Sequence, residues 1–239
     1  MLEVKNVERR FGGLIAVNNV SMQVKKGEIV ALIGPNGAGK TTLFNLIAGV
    51  LPLNKGDIFF RRQLISGKGS AEICRLALAR TFQIPQLFGS MTVLDSAVIG
   101  ALARTPSIKQ ARDKAVIMLE KVGLSDRMMQ MATTLTISGK KRLEIARALS
   151  TEPEMILLDE VMAGLNQAEV SRLLDLIHTL RDQGMTVLLV EHNIEAVMTI
   201  ADRVVVLDQG NKIADGPPRD VLNQKDVIGA YLGNDYALD

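Results

Sequence analysis

A glycine-rich loop at residues 34–41 has the composition of a phosphate-binding site. It reads Gly-Pro-Asn-Gly-Ala-Gly-Lys-Thr and directly follows the apolar run Ile29–Ile33. Glycine allows successive backbone N–H groups to turn towards one anion at low steric cost. We expect Lys40 to reach the β- and γ-phosphates and the Thr41 hydroxyl to bind Mg²⁺. The loop therefore predicts a site for ATP and its metal ion.

The helix predicted after the loop, Thr41–Ala48, points the positive end of its dipole at the same phosphates. A strand before the loop and a helix after it are the context in which such loops bind nucleotides. The nucleotide-binding residues predicted for the loop and the first helical turn are Gly34, Pro35, Asn36, Gly37, Ala38, Gly39, Lys40, Thr41 and Thr42.

A pair of carboxylates ends a second apolar run, because Met155–Leu158 is followed by Asp159 and Glu160. We assign Asp159 to hold Mg²⁺ through its water shell and Glu160 to orient and polarise the attacking water. A strand that ends in solvated acids is the simpler alternative. The phosphate loop in the same chain favours the catalytic interpretation.

Two further side chains are predicted to contact the γ-phosphate or the metal. His192 follows the apolar run Thr186–Val190, and its imidazole is expected to donate a hydrogen bond to the γ-phosphate. Gln83 offers a neutral amide as a ligand for Mg²⁺ at the border of a helical region. The predicted catalytic residues are Glu160, His192 and Lys40, and the predicted metal ligands are Thr41, Gln83 and Asp159.

The hydrophobic pattern predicts the strands that must position these residues. Alternating apolar residues predict strands at Leu2–Val7 and Val17–Val24, and the uninterrupted run Ile29–Ile33 predicts a strand buried on both faces. Ligands gather at the carboxyl ends of parallel strands, so the loop, the acid pair and His192 are expected to converge on one nucleotide if their strands are neighbours. Further strands are predicted at Gly56–Phe60, Met155–Asp159, Thr186–Val190 and Arg203–Leu207.

Helical periodicity dominates between Ser70 and Ser150. The pattern predicts one domain: an α/β core with a β-rich lobe, residues 1–69 and 151–239, and a helical insertion over about residues 70–150. The helices predicted in the insertion are Ala71–Ala79, Val93–Ala103, Lys109–Val122 and one that ends at Leu149. Those predicted in the core after it are Gln167–Gln183 and Ile194–Ile200.

Composition excludes several other classes of protein. The 239 residues carry 28 Lys and Arg against 26 Asp and Glu, with no Trp and two Tyr, so no nucleic-acid partner is expected. The single Cys74 cannot form an internal disulfide, and the N-terminus lacks the apolar core of a signal peptide, which indicates the cytoplasm. No apolar run reaches the ~20 residues of a membrane helix. Any membrane association is therefore expected to depend on a partner.

Several motifs occur in the order in which ABC ATPases carry them, and the resemblance spans the whole chain. They are the loop Gly34–Thr41, Gln83, the stretch Leu135–Leu149, the pair Asp159-Glu160, Ala163–Asn166 and His192. Within that superfamily, four stretches resemble the ATPases of branched-chain amino acid uptake: Arg80–Phe88, Arg142–Arg147, Val190–Asn193 and Ile228–Gly233. Urea-uptake and lipopolysaccharide-export ATPases are similar relatives.

The resemblance implies a RecA-like P-loop NTPase core with an antiparallel β subdomain and a helical ABC-specific subdomain. It also implies two subunits that act head to tail, with each ATP enclosed between the loop of one and the signature sequence of the other. Phe11 stands where the family places an aromatic ring against adenine. An ordinary core phenylalanine is the alternative.

The signature sequence departs from the family pattern Leu-Ser-Gly-Gly-Gln. The ungapped match is Leu135–Gly139, with Thr136, Ser138 and Gly139 as the predicted contacts of the facing subunit's nucleotide. Ser138 replaces a glycine whose bare backbone approaches the phosphate, so its side chain is expected to obstruct close contact. A register shifted by one residue would keep a Ser-Gly pair but would place Lys140 at the second glycine. The ungapped register is preferred.

A basic trio, Lys140-Lys141-Arg142, follows the signature. It is expected either to attract the phosphates of the facing subunit's ATP or to form a solvated helix face.

The resemblance implies a transport motor that binds and hydrolyses ATP. The implied partners are membrane-spanning permease subunits, a second ABC ATPase subunit of the same or a related kind and, indirectly, a solute-binding protein. The implied location is the cytoplasm, on the inner face of the cell membrane. An ATP-binding regulatory subunit with weak hydrolysis is the alternative, and the intact Glu160 and His192 argue against it.

Overall fold

The computed structural model of the protein describes residues 1–82 and 89–232. The strands within these residues are β1 (Leu2–Phe11), β2 (Leu14–Val24), β3 (Ile29–Ile33), β4 (Lys55–Phe60), β5 (Gln63–Leu64), β6 (Leu78–Arg80), β7 (Met155–Asp159), β8 (Thr186–Val190), β9 (Arg203–Asp208) and β10 (Asn211–Gly216). The helices are α1 (Lys40–Ile47), α2 (Ser70–Arg75), α3 (Val93–Leu102), α4 (Ile108–Lys121), α5 (Ile137–Leu149), α6 (Gln167–Asp182), α7 (Ile194–Ile200), α8 (Pro218–Leu222) and α9 (Lys225–Leu232).

The contacts divide the chain into two compact units. The first contains Met1–Ser70 and the chain from Thr186 onward, and the second contains residues 71–185. The second unit holds β7 and α6 as well as the helices before them. A helical insertion limited to about residues 70–150 therefore stays a prediction.

An antiparallel sheet opens the first unit, with the strand order β2-β1-β4-β5. β1 and β2 meet at a tight turn, where Phe11 is opposite Leu14. Leu2 and Val4 of β1 are buried, as the alternating pattern requires. The predicted β-rich lobe is confirmed.

The centre of the first unit is β3, which lies between β8 and β9 and is parallel to both. Every residue of Ile29–Ile33 is fully buried. A strand that is hydrogen-bonded on both sides and covered on both faces has no solvated position, so its sequence shows no alternation. The prediction of a strand buried on both faces is confirmed. β9 then turns into the antiparallel β10.

The second unit combines helices with a pair of parallel strands, β6 and β7. Its helix α3 packs against both α4 and α5. The approach of α3 to α5 is close at Gly100, where a Cβ atom would collide with the carbonyl oxygen of Arg147. The missing side chain at Gly100 therefore sets the spacing of these two helices.

The predicted helix Ala71–Ala79 is wrong beyond its first turns. α2 ends at Arg75, and Ala77 has a φ of 75°, which no α-helix accommodates. The guanidinium of Arg104 donates to the carbonyl oxygens of Cys74 at 3.2 Å and Arg75 at 2.7 Å, which satisfies the helix end. The residues that follow form β6, which pairs with β7. Pairing with a strand distant in the sequence therefore overrides the helical pattern.

The other predicted helices, and the predicted strands from β3 onward, agree with the observed bounds to within one residue at each end. β1 and β2 extend several residues further, to the turn that joins them. β5, β10, α8 and α9 are elements that the pattern did not predict. In the described part of the chain, no helix combines the length and the apolar character needed to cross a bilayer.

Gly100→Ala tests the close approach of α3 and α5. Alanine is the better helix former, yet its methyl group would meet the Arg147 carbonyl, so we expect the free energy of unfolding to fall by about 1–3 kcal/mol. Gly229→Ala in α9 is the matched control, because the added methyl meets no described atom within 4 Å. We expect this control to be neutral or stabilising. Urea unfolding measures both variants, and equal effects would contradict the close approach.

Candidate functional site

The phosphate loop is held in shape by backbone contacts with neighbouring strands. Gly34, with a φ of 146°, begins the loop, and a Cβ there would collide with the carbonyl oxygen of Leu207 in β9. Gly39, with a φ of 98°, precedes α1, and a Cβ there would collide with the carbonyl oxygen of Ala16 in β2. Only glycine fits at either position. Backbone packing at its two ends therefore fixes the loop.

Lys40 opens α1 and turns its ammonium group back towards the loop. Its Nζ donates to the carbonyl oxygens of Gly34 at 2.7 Å and Pro35 at 2.9 Å, and 5% of the residue is exposed. Thr41 is the next residue and is exposed at the same helix end. An ammonium group, a hydroxyl and a helix N-terminus within one turn are the donor set that a nucleotide's phosphates and their counter-ion require. The residues present therefore fit a nucleotide.

Phe11 occupies the β1–β2 turn, and its exposure of 43% excludes an ordinary core position. The guanidinium of Arg9 lies 4.6 Å from the centre of its ring. Leu14 is opposite Phe11, and Ala16, two residues further on, packs against Gly39. The hairpin that carries Phe11 thus also contacts the phosphate loop. A half-exposed ring on this hairpin suits stacking against a nucleotide base.

His192 lies at the same edge of the sheet as the phosphate loop. β3 and β8 are parallel neighbours, and the loop follows β3 just as Glu191 and His192 follow β8. His192 is exposed there. The next residue, Asn193, caps α7 because its Oδ1 accepts the N–H of Ala196 at 3.0 Å. β3 and β8 are thus the parallel neighbours that the predicted convergence of the loop and His192 requires.

The last described helix also contacts the loop, which the sequence pattern did not predict. Tyr231 of α9 lies close to the backbone of Gly34. Burial raises the pKa of the Tyr231 phenol, and the nearby Gly34 backbone opposes that rise. The residues Ile228–Gly233 stood out in the sequence only as a motif of a subfamily. In the structure, their tyrosine lies near the first glycine of the loop.

The acid pair lies in the second unit, at the end of β7. Asp159 is 1% exposed, and its Oδ2 accepts a hydrogen bond from Nη2 of Arg80 at 2.8 Å. The backbone N–H of Asp159 donates to the Thr81 hydroxyl at 3.1 Å. A buried carboxylate persists when it is paired with a cation and hydrogen-bonded. Arg80 and Thr81, from β6 and the residue after it, therefore hold Asp159 in place.

Glu160 has an unusual backbone, with a φ of 48°. Its carbonyl oxygen accepts a hydrogen bond of 2.7 Å from Nζ of Lys141 in α5. Lys141 is 6% exposed, so the expectation that the trio Lys140-Lys141-Arg142 is solvated or faces a partner's phosphates is wrong for this member. Sequence reasoning missed the contact because a lysine on a helix usually lies on the solvated face.

The signature sequence forms the start of α5. The Oγ1 of Thr136 accepts the N–H of Gly139 at 3.2 Å and caps the helix. Ser138 is buried and lines a cavity of about 220 Å³, whereas Ile137 is 60% exposed. The side chain that stands out at the helix start is therefore that of Ile137. An obstruction of the facing subunit's nucleotide by Ser138 stays a prediction.

Gln83 lies outside the described residues. The residue before it, Phe82, donates its backbone N–H to Oε1 of Glu144 at 3.1 Å, and Glu144 is buried in α5. Among the other predicted residues, Phe11, the loop through Thr42, and His192 belong to the first unit. The second unit contains Thr136, Ser138, Gly139, Asp159 and Glu160. Convergence of the acid pair with the loop on one nucleotide stays a prediction.

Comparison with known proteins agrees with this arrangement. Residues 17–163 match the family model described as ABC transporter, and residues 211–237 match that of the branched-chain amino acid ATP-binding cassette transporter. The chain is 42% identical over 249 residues to the high-affinity branched-chain amino acid transport ATP-binding protein LivG of Escherichia coli K12, with 98% of each chain covered. It is 34% identical over 238 residues to the lipopolysaccharide export system ATP-binding protein LptB of the same strain, with 99% of each covered.

A solved structure shares the whole fold. It is the ADP conformation of an ATP-binding cassette of an ABC transporter, with a TM-score of 0.89, 33% sequence identity and 98% of each chain covered. The chain therefore belongs to the ABC transporter family and has the RecA-like P-loop fold of its ATP-binding cassettes. Within that family it is an ATP-binding subunit, an ATPase whose hydrolysis is coupled to transport.

Two glycines of the loop provide a matched test of the site. Gly37→Ala and Gly39→Ala both place a side chain at a positive φ, 81° and 98°, but only the second methyl collides with a described backbone atom, the Ala16 carbonyl. A forced backbone shift costs about 1–3 kcal/mol. We therefore expect Gly39→Ala to weaken ADP binding about tenfold more than Gly37→Ala in isothermal titration calorimetry. Equal affinities would contradict the packing at Gly39.

Proposed function

We propose that this chain powers the uptake of branched-chain amino acids across a membrane. The match of residues 211–237 to the branched-chain amino acid cassette family carries the choice of solute, and the similarity to the branched-chain amino acid transport protein LivG supports it. The solute itself is expected to contact the permease and solute-binding subunits. The contribution of this chain is ATP binding and hydrolysis.

The proposed hydrolysis assigns a separate role to each predicted residue. Lys40 and the backbone N–H groups of the loop bind the phosphates, and Phe11 stacks on adenine. Glu160 accepts a proton from the water that attacks the γ-phosphorus, while the bond to the bridging oxygen breaks and its electrons leave with ADP. His192 donates a hydrogen bond to the γ-phosphate and keeps the water in line.

The proposed hydrolysis also uses a magnesium ion. Thr41, Asp159 and Gln83 are the residues proposed to hold it, with the Asp159 carboxylate acting through water. When bound, Mg²⁺ neutralises charge on the β- and γ-phosphates. The Arg80 guanidinium balances the charge of Asp159 in the structure, so this carboxylate is already oriented by a cation.

A second ABC ATPase subunit is proposed to complete each site. The loop covers one side of the γ-phosphate, and a helix N-terminus is a suitable anion-binding group for the other. α5 is 13 residues long and presents such an end, capped by Thr136, together with Ser138 and Gly139. The proposed assembly pairs two such subunits with membrane-spanning permease subunits on the inner face of the cell membrane, and indirectly with a solute-binding protein.

One observation favours a second candidate, a regulatory subunit with weak hydrolysis. Ile137 is exposed at the start of α5, where the family pattern has a glycine. A branched side chain there would keep the helix end from the facing subunit's phosphate, so the site of the partner would close poorly. The similarity to LptB leaves lipopolysaccharide export as a further candidate for the transported substrate.

Glu160→Gln tests the proposed chemistry. The amide keeps the shape of the side chain but cannot accept the proton, so we expect ATP turnover to fall at least about a hundredfold while ATP still binds. Slow hydrolysis should also trap the closed pair of subunits, which light scattering would detect as an ATP-dependent doubling of the solution mass. Glu120→Gln, an exposed change in α4, is the control. Unchanged turnover in Glu160→Gln would refute the role of Glu160.

The solute is tested in proteoliposomes that contain this chain with its permease subunits. Adding solute-binding protein loaded with leucine, isoleucine or valine is expected to stimulate ATP hydrolysis several-fold over the unloaded protein. The Glu160→Gln chain gives the background rate. Stimulation by urea-loaded binding protein or by lipopolysaccharide, and not by these amino acids, would overturn the proposed solute and keep the ATPase.

A further inference from the structure

Lys141 is a buried cation bonded to the backbone of the proposed catalytic residue. It lies in the second turn of α5, five residues after the Thr136 cap, and 6% of it is exposed. Its Nζ donates to the carbonyl oxygen of Glu160 at 2.7 Å. The backbone N–H of Ala163 donates to the same oxygen at 3.3 Å. Two donors from different segments thus fix the peptide that follows Glu160.

The backbone of Glu160 needs such support. A φ of 48° lies in the left-handed region, which is strained for a residue other than glycine. Such a conformation persists where surrounding contacts hold it, and it sets the direction in which the side chain leaves the chain. Loss of the Lys141 bond would allow the Glu160 peptide to relax towards an ordinary conformation. The carboxylate would then leave its working position.

Filling of the interior does not by itself explain a lysine at this place. Burying an ammonium group is costly, and an apolar side chain of similar length would fill the same volume without that cost. The preceding residue of the helix is also a lysine, Lys140, and its side chain makes no hydrogen bond or ion pair with another described residue. The difference between two adjacent lysines points to a specific requirement at position 141.

We propose that Lys141 is a positioning residue for ATP hydrolysis, which acts by holding the Glu160 carbonyl so that the Glu160 carboxylate meets the attacking water. The proposal rests on the proposed role of Glu160. It connects the helix that carries the signature sequence to the hydrolytic residue of the same chain. The buried Glu144 of that helix also binds the N–H of Phe82, directly before Gln83.

Lys141→Met is the decisive variant, because methionine keeps the length and packing of the side chain and removes the donor. A displacement of about 1 Å of a catalytic group costs up to about a hundredfold in rate. We expect kcat to fall by about tenfold to a hundredfold in the assembled transporter, with the KM for ATP unchanged. Lys109→Met, an exposed change in α4, is the matched control, and we expect it to keep the original rate. Lys141→Arg retains a donor and is expected to restore part of the loss.

A double variant separates positioning from a general loss of structure. If Lys141 acts through Glu160, adding Lys141→Met to Glu160→Gln lowers the residual rate no further. A multiplicative loss in the double variant would overturn the proposal, as would equal rates in Lys141→Met and Lys109→Met. If Lys141→Met fails to fold, Lys141→Gln and Lys141→Arg carry the test. Equal loss of kcat in those two, with the fold intact, would then count against positioning.

The outcomes also distinguish this proposal from the proposed function. Full turnover in Glu160→Gln would refute the role of Glu160 itself, whatever Lys141 does. A large loss in Glu160→Gln, together with an unchanged rate in Lys141→Met, would refute only the positioning role.

Discussion

The close packing of backbone against backbone at the two ends of the phosphate loop is the constraint on which the nucleotide site depends. Gly34 lies against the Leu207 carbonyl and Gly39 against the Ala16 carbonyl, so neither end can move without moving a strand. β3 leads into the loop, and all five of its residues are buried. The packing of this strand therefore fixes the point at which the loop begins. The position of the Lys40 ammonium group follows from the resulting shape. A rigid loop loses little conformational freedom when it binds phosphate.

In the second unit, buried charged side chains hold the residues of the proposed site in place. Asp159 is held by Arg80, the Glu160 carbonyl by Lys141, and the Phe82 amide by Glu144. Each of these charged groups would be costly in an apolar interior without its partner. The interior therefore specifies one arrangement of β6, β7 and α5. In the first unit, the loop is instead fixed by Gly34 and Gly39, whose lack of side chains allows close backbone packing.

The sequence predicts much of this because apolar periodicity reports burial. The continuous runs of β3, β7 and β8 end at the observed residues, and the loop, Asp159-Glu160 and His192 follow those strands as expected. The predicted helix at Ala71–Ala79 failed because a hydrophobic pattern does not reveal a tertiary partner such as β7. Lys141 and the pair of Arg80 with Asp159 were missed for a related reason. A charge in a sequence indicates solvent unless its counterpart, here 19 and 79 residues away, is already known.

Lys141 and Glu144 are three residues apart and thus share one face of α5. One bonds to the carbonyl of Glu160 and the other to the amide of Phe82. A rigid helix with two such attachments behaves as one mechanical part, since any rotation that lengthens one bond also strains the other. The two segments cannot be adjusted separately. For the proposed motor, the stretch that leads to Gln83 and the hydrolytic glutamate would then share a single degree of freedom, with α5 as its axis.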